Sequence, residues 1–180
     1  SWMLLTRDIA TGAALDTNAP CMQQHGAPLV LIITGNAQRA ADLARAVRTL
    51  VPGDGGDAEE RAPKRQKRAT GDAKPSAPRP TVAKLFARHF KLEAQDEWLR
   101  AQPTPIAVGT PHRIKQLVER EALRLDNVRG IVIDHSWTDA KKRTIFDTHE
   151  TRNAVVDMLA ERHILQALCR KEQQCRIALY

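Results

Sequence analysis

Three short runs in this chain are apolar at every position rather than at every second one: Leu29 to Ile33, Ile106 to Val108 and Ile131 to Ile133. A strand with one wet face alternates apolar and polar residues, so unbroken runs of this length imply strands covered on both faces. Between them lie segments with helical spacing. Ala37, Ala40, Ala41, Ala44, Val47 and Leu50 recur at intervals of three and four, with Arg39, Arg45 and Arg48 left for the outer faces. Strands that alternate with helices in this way specify an α/β fold with a parallel sheet.

The rest of the chain fits the same scheme. Asn36 stands where a helix N-cap is wanted. Val82 to Phe86 reads as a strand and Leu92 to Leu99 as a short helix with Trp98 on its buried side. A helix carrying Ile114, Leu117 and Val118 follows Gly109-Thr110-Pro111. Thr151 to Leu168 reads as the longest helix, with Val155, Met158, Leu159, Leu165 and Leu168 inward, and Arg176 to Tyr180 as a final strand. In parallel sheets the working residues collect at the carboxyl ends of the strands. Here those ends carry Thr34-Gly35-Asn36, Gly109-Thr110-Pro111 and Asp134-His135-Ser136.

One stretch breaks the pattern. Pro52 to Pro80 holds five of the ten prolines and four of the nine glycines, and its only hydrophobic residues are alanines. It cannot bury enough apolar surface to offset the entropy of ordering, so it reads as a flexible insertion. Inside it Lys64, Arg65, Lys67 and Arg68 form a cluster that suits nuclear import, or else a solvated or non-specific RNA-binding run.

The net charge of +7 and a pI near 9.7 favour a polyanionic partner, or else a merely solvated basic face. No apolar run approaches the roughly 18 residues that cross a bilayer. Met3-Leu4-Leu5 is too short for a signal sequence and is followed by Arg7 and Asp8; the opening Ser1 suits a piece of a longer protein. Cys21, Cys169 and Cys175 are an odd set without paired metal spacing, which suits a reducing compartment and idle thiols. Asp134 and His135 lack a third ligand nearby, so no metal is expected. Consecutive Asp134, His135 and Ser136 do not make a triad, whose members meet in space rather than in sequence.

The segment Ile106-Ala107-Val108-Gly109-Thr110-Pro111-His112-Arg113 resembles the Val-Gly-Thr-Pro-Gly-Arg string of DEAD-box RNA helicases, which there touches the RNA backbone. Leu125 to Asp134 resembles the approach to the Asp-Glu-Ala-Asp motif, and Leu29 to Ala41 the strand and helix upstream. Order and spacing agree over residues 28–180. The departures matter more. Residues 1–28 contain only Gly12 and Gly26 and no lysine, so there is no Gly-Lys-Thr loop to cradle phosphates. Where the enzymes place a water-positioning Glu, this chain has His135. A Ser-Ala-Thr motif is missing near Arg176 to Tyr180, and the chain has no room for a second RecA domain.

A narrower resemblance accommodates these departures. Lys84-Leu85-Phe86-Ala87-Arg88-His89-Phe90-Lys91, Gly109-Thr110-Pro111-His112-Arg113-Ile114 and Asp134-His135-Ser136-Trp137-Thr138-Asp139-Ala140-Lys141-Lys142-Arg143 resemble the three characteristic strings of the Cms family of small nucleolar DEAD-box-like proteins. The insertion 52–80 is extra to that pattern. The resemblance implies one three-layer RecA-like domain over residues 1–180, with a parallel sheet but no phosphate loop, and with a poorly structured segment 1–27. It implies a non-enzymatic factor of the small-subunit processome, or 90S pre-ribosome, in the nucleolus. No cofactor, membrane or small-molecule substrate is implied. The competing class is an ATP-dependent RNA helicase fragment whose nucleotide-binding loop is absent from this chain.

The expected contact residues for RNA or partner proteins are Asn36, Arg39, Thr110, Pro111, Arg113, Trp137, Lys141, Lys142 and Arg143. A helix start behind Thr110 and Pro111, with Arg113 as a charged fork, suits a phosphate; the alternative is inherited scaffolding, with Thr110 as cap, Pro111 in the first helical turn and Arg113 pairing with a carboxylate. Lys141, Lys142 and Arg143 either face a phosphate backbone or form a solvated end. Trp137 either stacks on a base or packs on the next helix.

Overall fold

The apolar runs become strands whose residues are buried at every position. The computed structural model describes residues 23–51, 79–88, 90–170 and 175–180. Most of the insertion, including Lys64, Arg65, Lys67 and Arg68, lies outside them, as does Cys21. In chain order the elements are β1 (Val30–Ile33), α1 (Ala37–Val47) closed by a 3-10 turn at Arg48–Leu50, β2 (Val82–Leu85), α2 (Leu92–Ala101), β3 (Ile106–Gly109), α3 (Pro111–Glu119), β4 (Gly130–Ile133), α4 (His149–Leu159), α5 (Arg162–Leu168) and β5 (Arg176–Leu179).

The strands form one sheet in the order β2-β3-β1-β4-β5, and every pairing is parallel. Leu31, Ile33, Ala107, Ile131 and Ile133 point to one face, where Leu117 of α3, Val155 and Met158 of α4 and Ile164 of α5 cover them. Val30, Ile32, Ile106, Val108 and Val132 point to the other, where α1 lays down Ala40, Leu43, Ala44 and Val47. The expected three-layer α/β architecture with a parallel sheet is the observed one.

One expectation needs correction: the long helix is two helices. The break falls at Glu161, whose carboxylate caps α5 by accepting from the backbone N–H groups of His163 (2.8 Å) and Ile164 (3.3 Å). The new cap resets the helical phase, so Ile164 and Ala167 turn inward and Leu165 is left 46% exposed. Of the segment 1–27, residues 23–27 are described. His25 pairs with Pro103, Ala27 is fully buried, and Gly26 adopts a left-handed φ of 59°. Its Cα lies so close to the Ala122 carbonyl that a Cβ would stand 2.3 Å from that oxygen.

Candidate functional site

Parallel strands deliver their ends to a common edge, and the singled-out residues meet there in three groups. The first joins β1 to β4. Asn36 caps α1 as expected: its side-chain oxygen accepts from the N–H groups of Gln38 (2.7 Å) and Arg39 (3.3 Å). The cap fixes the first turn of α1 and so aims Arg39 across the strand ends. There its guanidinium forks onto Asp134, with Nε 2.8 Å from Oδ2 and Nη2 3.3 Å from Oδ1. Asp134 is only 2% exposed, and its own N–H donates to the Ile33 carbonyl at 2.8 Å. The one aspartate retained from the helicase pattern is therefore neutralised by an internal cation in a bidentate pair.

The second group joins β3 to β2. Thr110 starts α3 with extended backbone and Pro111 takes the first helical position, a placement suited to its fixed φ and missing N–H. Thr110 donates its N–H to the Leu85 carbonyl at 2.9 Å. Arg113 does not fork toward solvent. It is 7% exposed, and its Nη1 donates to Gln95 Oε1 (2.6 Å) and the Phe90 carbonyl (3.2 Å). Burial weakens its hold on the proton, opposed by the charge of Glu93. Arg113 sits at a core-facing position of α3 beside Ile114 and Leu117, and its partners are an amide and a carbonyl oxygen rather than a carboxylate. Gln95, absent from the expected set, is the centre of the group. Its Nε2 donates to the carbonyls of Lys84 (2.8 Å) and Phe86 (3.3 Å) while its oxygen receives Arg113. The two motif strings around Phe86 and Thr110 are thus one hydrogen-bonded unit.

The third group is the loop after β4. Asp139 organises it. Its carboxylate accepts from the N–H groups of Lys141 (2.8 Å) and Arg143 (3.0 Å), and from Arg143 Nε (3.0 Å) and Nη2 (2.7 Å). These bonds hold Lys142 at a left-handed φ of 58°. They also pull the Asp139 carboxyl down to about 2, the Arg143 side chain contributing most. Arg143 is therefore occupied within the loop. Lys141 and Lys142 are exposed and have no carboxylate partner among the described residues. Trp137 is half-buried. Downstream, Ile145 folds back over Gly35, where a Cβ would lie 3.2 Å from Ile145 Cγ1. His135 rests on Phe146, ring centres 5.6 Å apart.

The groups reach different elements: Arg39 crosses to β4, Arg113 runs to α2 and the loop after β2, and Arg143 stays in its own loop. No cluster of three His, Cys, Asp or Glu that could hold a metal ion occurs among the described residues. Cys169 and Cys175 are free thiols, and burial pushes Cys175 up to about 11.

Two solved structures share the chain's general backbone course. One is a DEAD box protein from Methanococcus jannaschii, at 19% identity and a TM-score of 0.47, covering 85% of this chain and 30% of that one. The other is Saccharomyces cerevisiae dbp5 bound to nup159 and gle1, at 13% identity and a TM-score of 0.43, covering 87% and 30%. Closer in sequence are Protein CMS1 of Chaetomium thermophilum, 40% identical over 138 residues, and human Protein CMSS1, 35% identical over 144. The aligned parts are 77% and 80% of this chain but 45% and 42% of those proteins, so the chain spans less than half the length of these relatives. The model of the family described as CMS1, U3-containing 90S pre-ribosomal complex subunit, matches residues 16–180. A match across nearly the whole chain, backed by relatives at this level of identity, makes the chain a member of the CMS1 family.

Proposed function

We propose that this chain is a non-enzymatic assembly factor of the small-subunit processome, working in the nucleolus, whose helicase-like domain binds pre-ribosomal RNA, other assembly factors, or both. The observation that carries the non-enzymatic reading is the Arg39–Asp134 pair. Nucleoside triphosphate hydrolysis needs a carboxylate free to hold a divalent cation and a second one to position water. Here the first is held by a guanidinium and the second is replaced by His135. The family description supports the pre-ribosomal setting.

The contact surface we assign is the basic turn of Lys141 and Lys142, with Trp137 beside it in the same loop and the Thr110–Pro111 helix start at the same sheet edge. Lys141 and Lys142 present charge without a carboxylate partner among the described residues, which suits phosphate contacts that add affinity but not sequence choice. Asn36, Arg39, Arg113 and Arg143 shape this edge from beneath, through the bonds described above.

Calorimetry of the purified chain with ATP and Mg²⁺ tests the reading, together with crosslinking of the tagged protein to RNA in cells. No heat of binding, no turnover, and crosslinks on the small-subunit precursor are expected. Turnover abolished by Asp134→Ala would refute the non-enzymatic assignment.

A further inference from the structure

Lys141, Lys142 and Arg143 stand directly before a hydroxyl, that of Thr144, and apolar Ile145 follows it. Protein kinases choose substrates largely by charge pattern, and one class has acidic side chains that meet cations two and three residues before the acceptor hydroxyl. Lys142 and Lys141 hold those two positions. Both are exposed and have no carboxylate partner among the described residues. The same pattern recurs at Lys67-Arg68-Ala69-Thr70, outside the described residues.

Thr144 closes the loop after β4. Its N–H donates to Asp147 Oδ2 at 2.7 Å, its carbonyl accepts from the Asp147 N–H at 3.3 Å, and its Oγ1 accepts from the Phe146 N–H at 3.3 Å. The N–H of Thr144, and then its hydroxyl, hold the Asp147 carboxyl below the usual carboxylate range, with the charge of Asp139 opposing them. Thr144 is partly exposed and belongs to no helix or strand. The residue before it, Arg143, is bound by Asp139.

A phosphate on Thr144 is incompatible with this closure. It carries about −1.5 to −2 charges at pH 7 and would stand against the Asp147 carboxylate, in place of a hydroxyl that donates to it. Repulsion breaks the Thr144–Asp147 contact. Arg143, one residue away, can turn from Asp139 to the phosphate, and the bonds that hold Lys142 in its left-handed turn go with it. The charge of the loop also reverses. From His135 to Asp147 three cations face two carboxylates, so the phosphate turns a net +1 into about −1.

We propose that Thr144 is a phosphorylation site for a protein kinase directed by basic residues, and that its phosphate opens the loop after β4 and ends the loop's contact with RNA phosphates. The second half rests on the reading of Lys141 and Lys142 as that contact. In the transfer, the Thr144 Oγ attacks the γ-phosphorus of ATP, the bond to the β,γ-bridging oxygen breaks, ADP leaves, and the hydroxyl proton passes to a base of the kinase. Ile145 is buried over Gly35, so the loop must open to enter a kinase cleft, and whatever holds it closed slows the transfer.

The test incubates the full chain with ATP and the catalytic subunit of cyclic-AMP-dependent protein kinase, which reads this charge pattern, and maps the phosphate by mass spectrometry. The same mapping is done on the tagged chain isolated from cells treated with a phosphatase inhibitor. Phosphate on Thr144 is expected in both, and faster transfer in vitro to Asp147→Ala, which lacks the latch. In the modified chain, amide hydrogen exchange across residues 139–147 should speed by about tenfold, and binding of a short oligouridine at low salt should weaken by about tenfold. Absence of phosphate from Thr144 in either sample, or a chain modified there whose exchange matches the parent's, would overturn the proposal. So would unchanged RNA binding after modification, where Lys141→Glu with Lys142→Glu does weaken it. If those charge reversals also leave binding unchanged while exchange speeds up, the site stands and the RNA reading of the loop falls.

Discussion

Asp134 is the residue on which the site turns. A carboxylate at 2% exposure is tolerable only with a counter-charge, and Arg39 supplies it through two hydrogen bonds. Arg39→Met leaves that charge buried and alone. The expected cost is about 3 kcal/mol, read from denaturant unfolding. The double variant with Asp134→Leu should recover most of the loss, because removing both partners removes the stranded charge. Asp139 makes a different prediction, at the surface. Its carboxyl is held at about 2 in the folded loop against an ordinary 3.8. A depressed carboxyl contributes fully above its unfolded value and loses that contribution as pH falls toward the folded one. The loop should therefore keep its geometry at pH 4 and loosen between about 3.8 and 2. Carbon NMR of the Asp139 carboxyl should report a midpoint near the lower value, and Arg143→Gln should raise it. Asp139 was within reach of the sequence: an aspartate two and four residues before the N–H groups it captures is a local pattern. Gln95 and the Arg39–Asp134 pair were not, because their partners lie far away in the chain and carry no periodic signal.

At the scale of elements, apolar periodicity located nearly every strand and helix, since burial on one face or two is what writes that pattern. It failed where capping overruled it. Glutamate is an uncommon N-cap, so Glu161 hid the break between α4 and α5 and placed Leu165 inside in place of Ile164. The two residues now give opposite expectations. Ile164→Ala should destabilise by about 3 kcal/mol, as a fully buried side chain does, while Leu165→Ser should change stability by less than about 0.5 kcal/mol. Equal effects in chemical denaturation would restore the single continuous helix. The pattern also ran out at β5. Its composition announces a strand, but whether a strand is central or marginal depends on what lies on either side of it.

For the molecule as a whole, the proposed phosphate contact rests on the loop after β4 rather than on Arg113, which is committed to Gln95. Lys141→Glu with Lys142→Glu should weaken RNA binding at low salt and reduce the salt dependence by about two counterions, with an unchanged melting temperature. Arg113→Glu, by contrast, should unfold the domain rather than report on binding. Sheet order has a further consequence, in time rather than in space. Val30 pairs with Ile106 on one side and Gly130 on the other, so both neighbours of the central strand lie far downstream of it in the chain. An emerging chain carries Val30 to Ile33 unpaired until most of the domain has left the ribosome. The stretch 52–80 lengthens that wait. The centre of the sheet therefore depends on partners that are translated long after it.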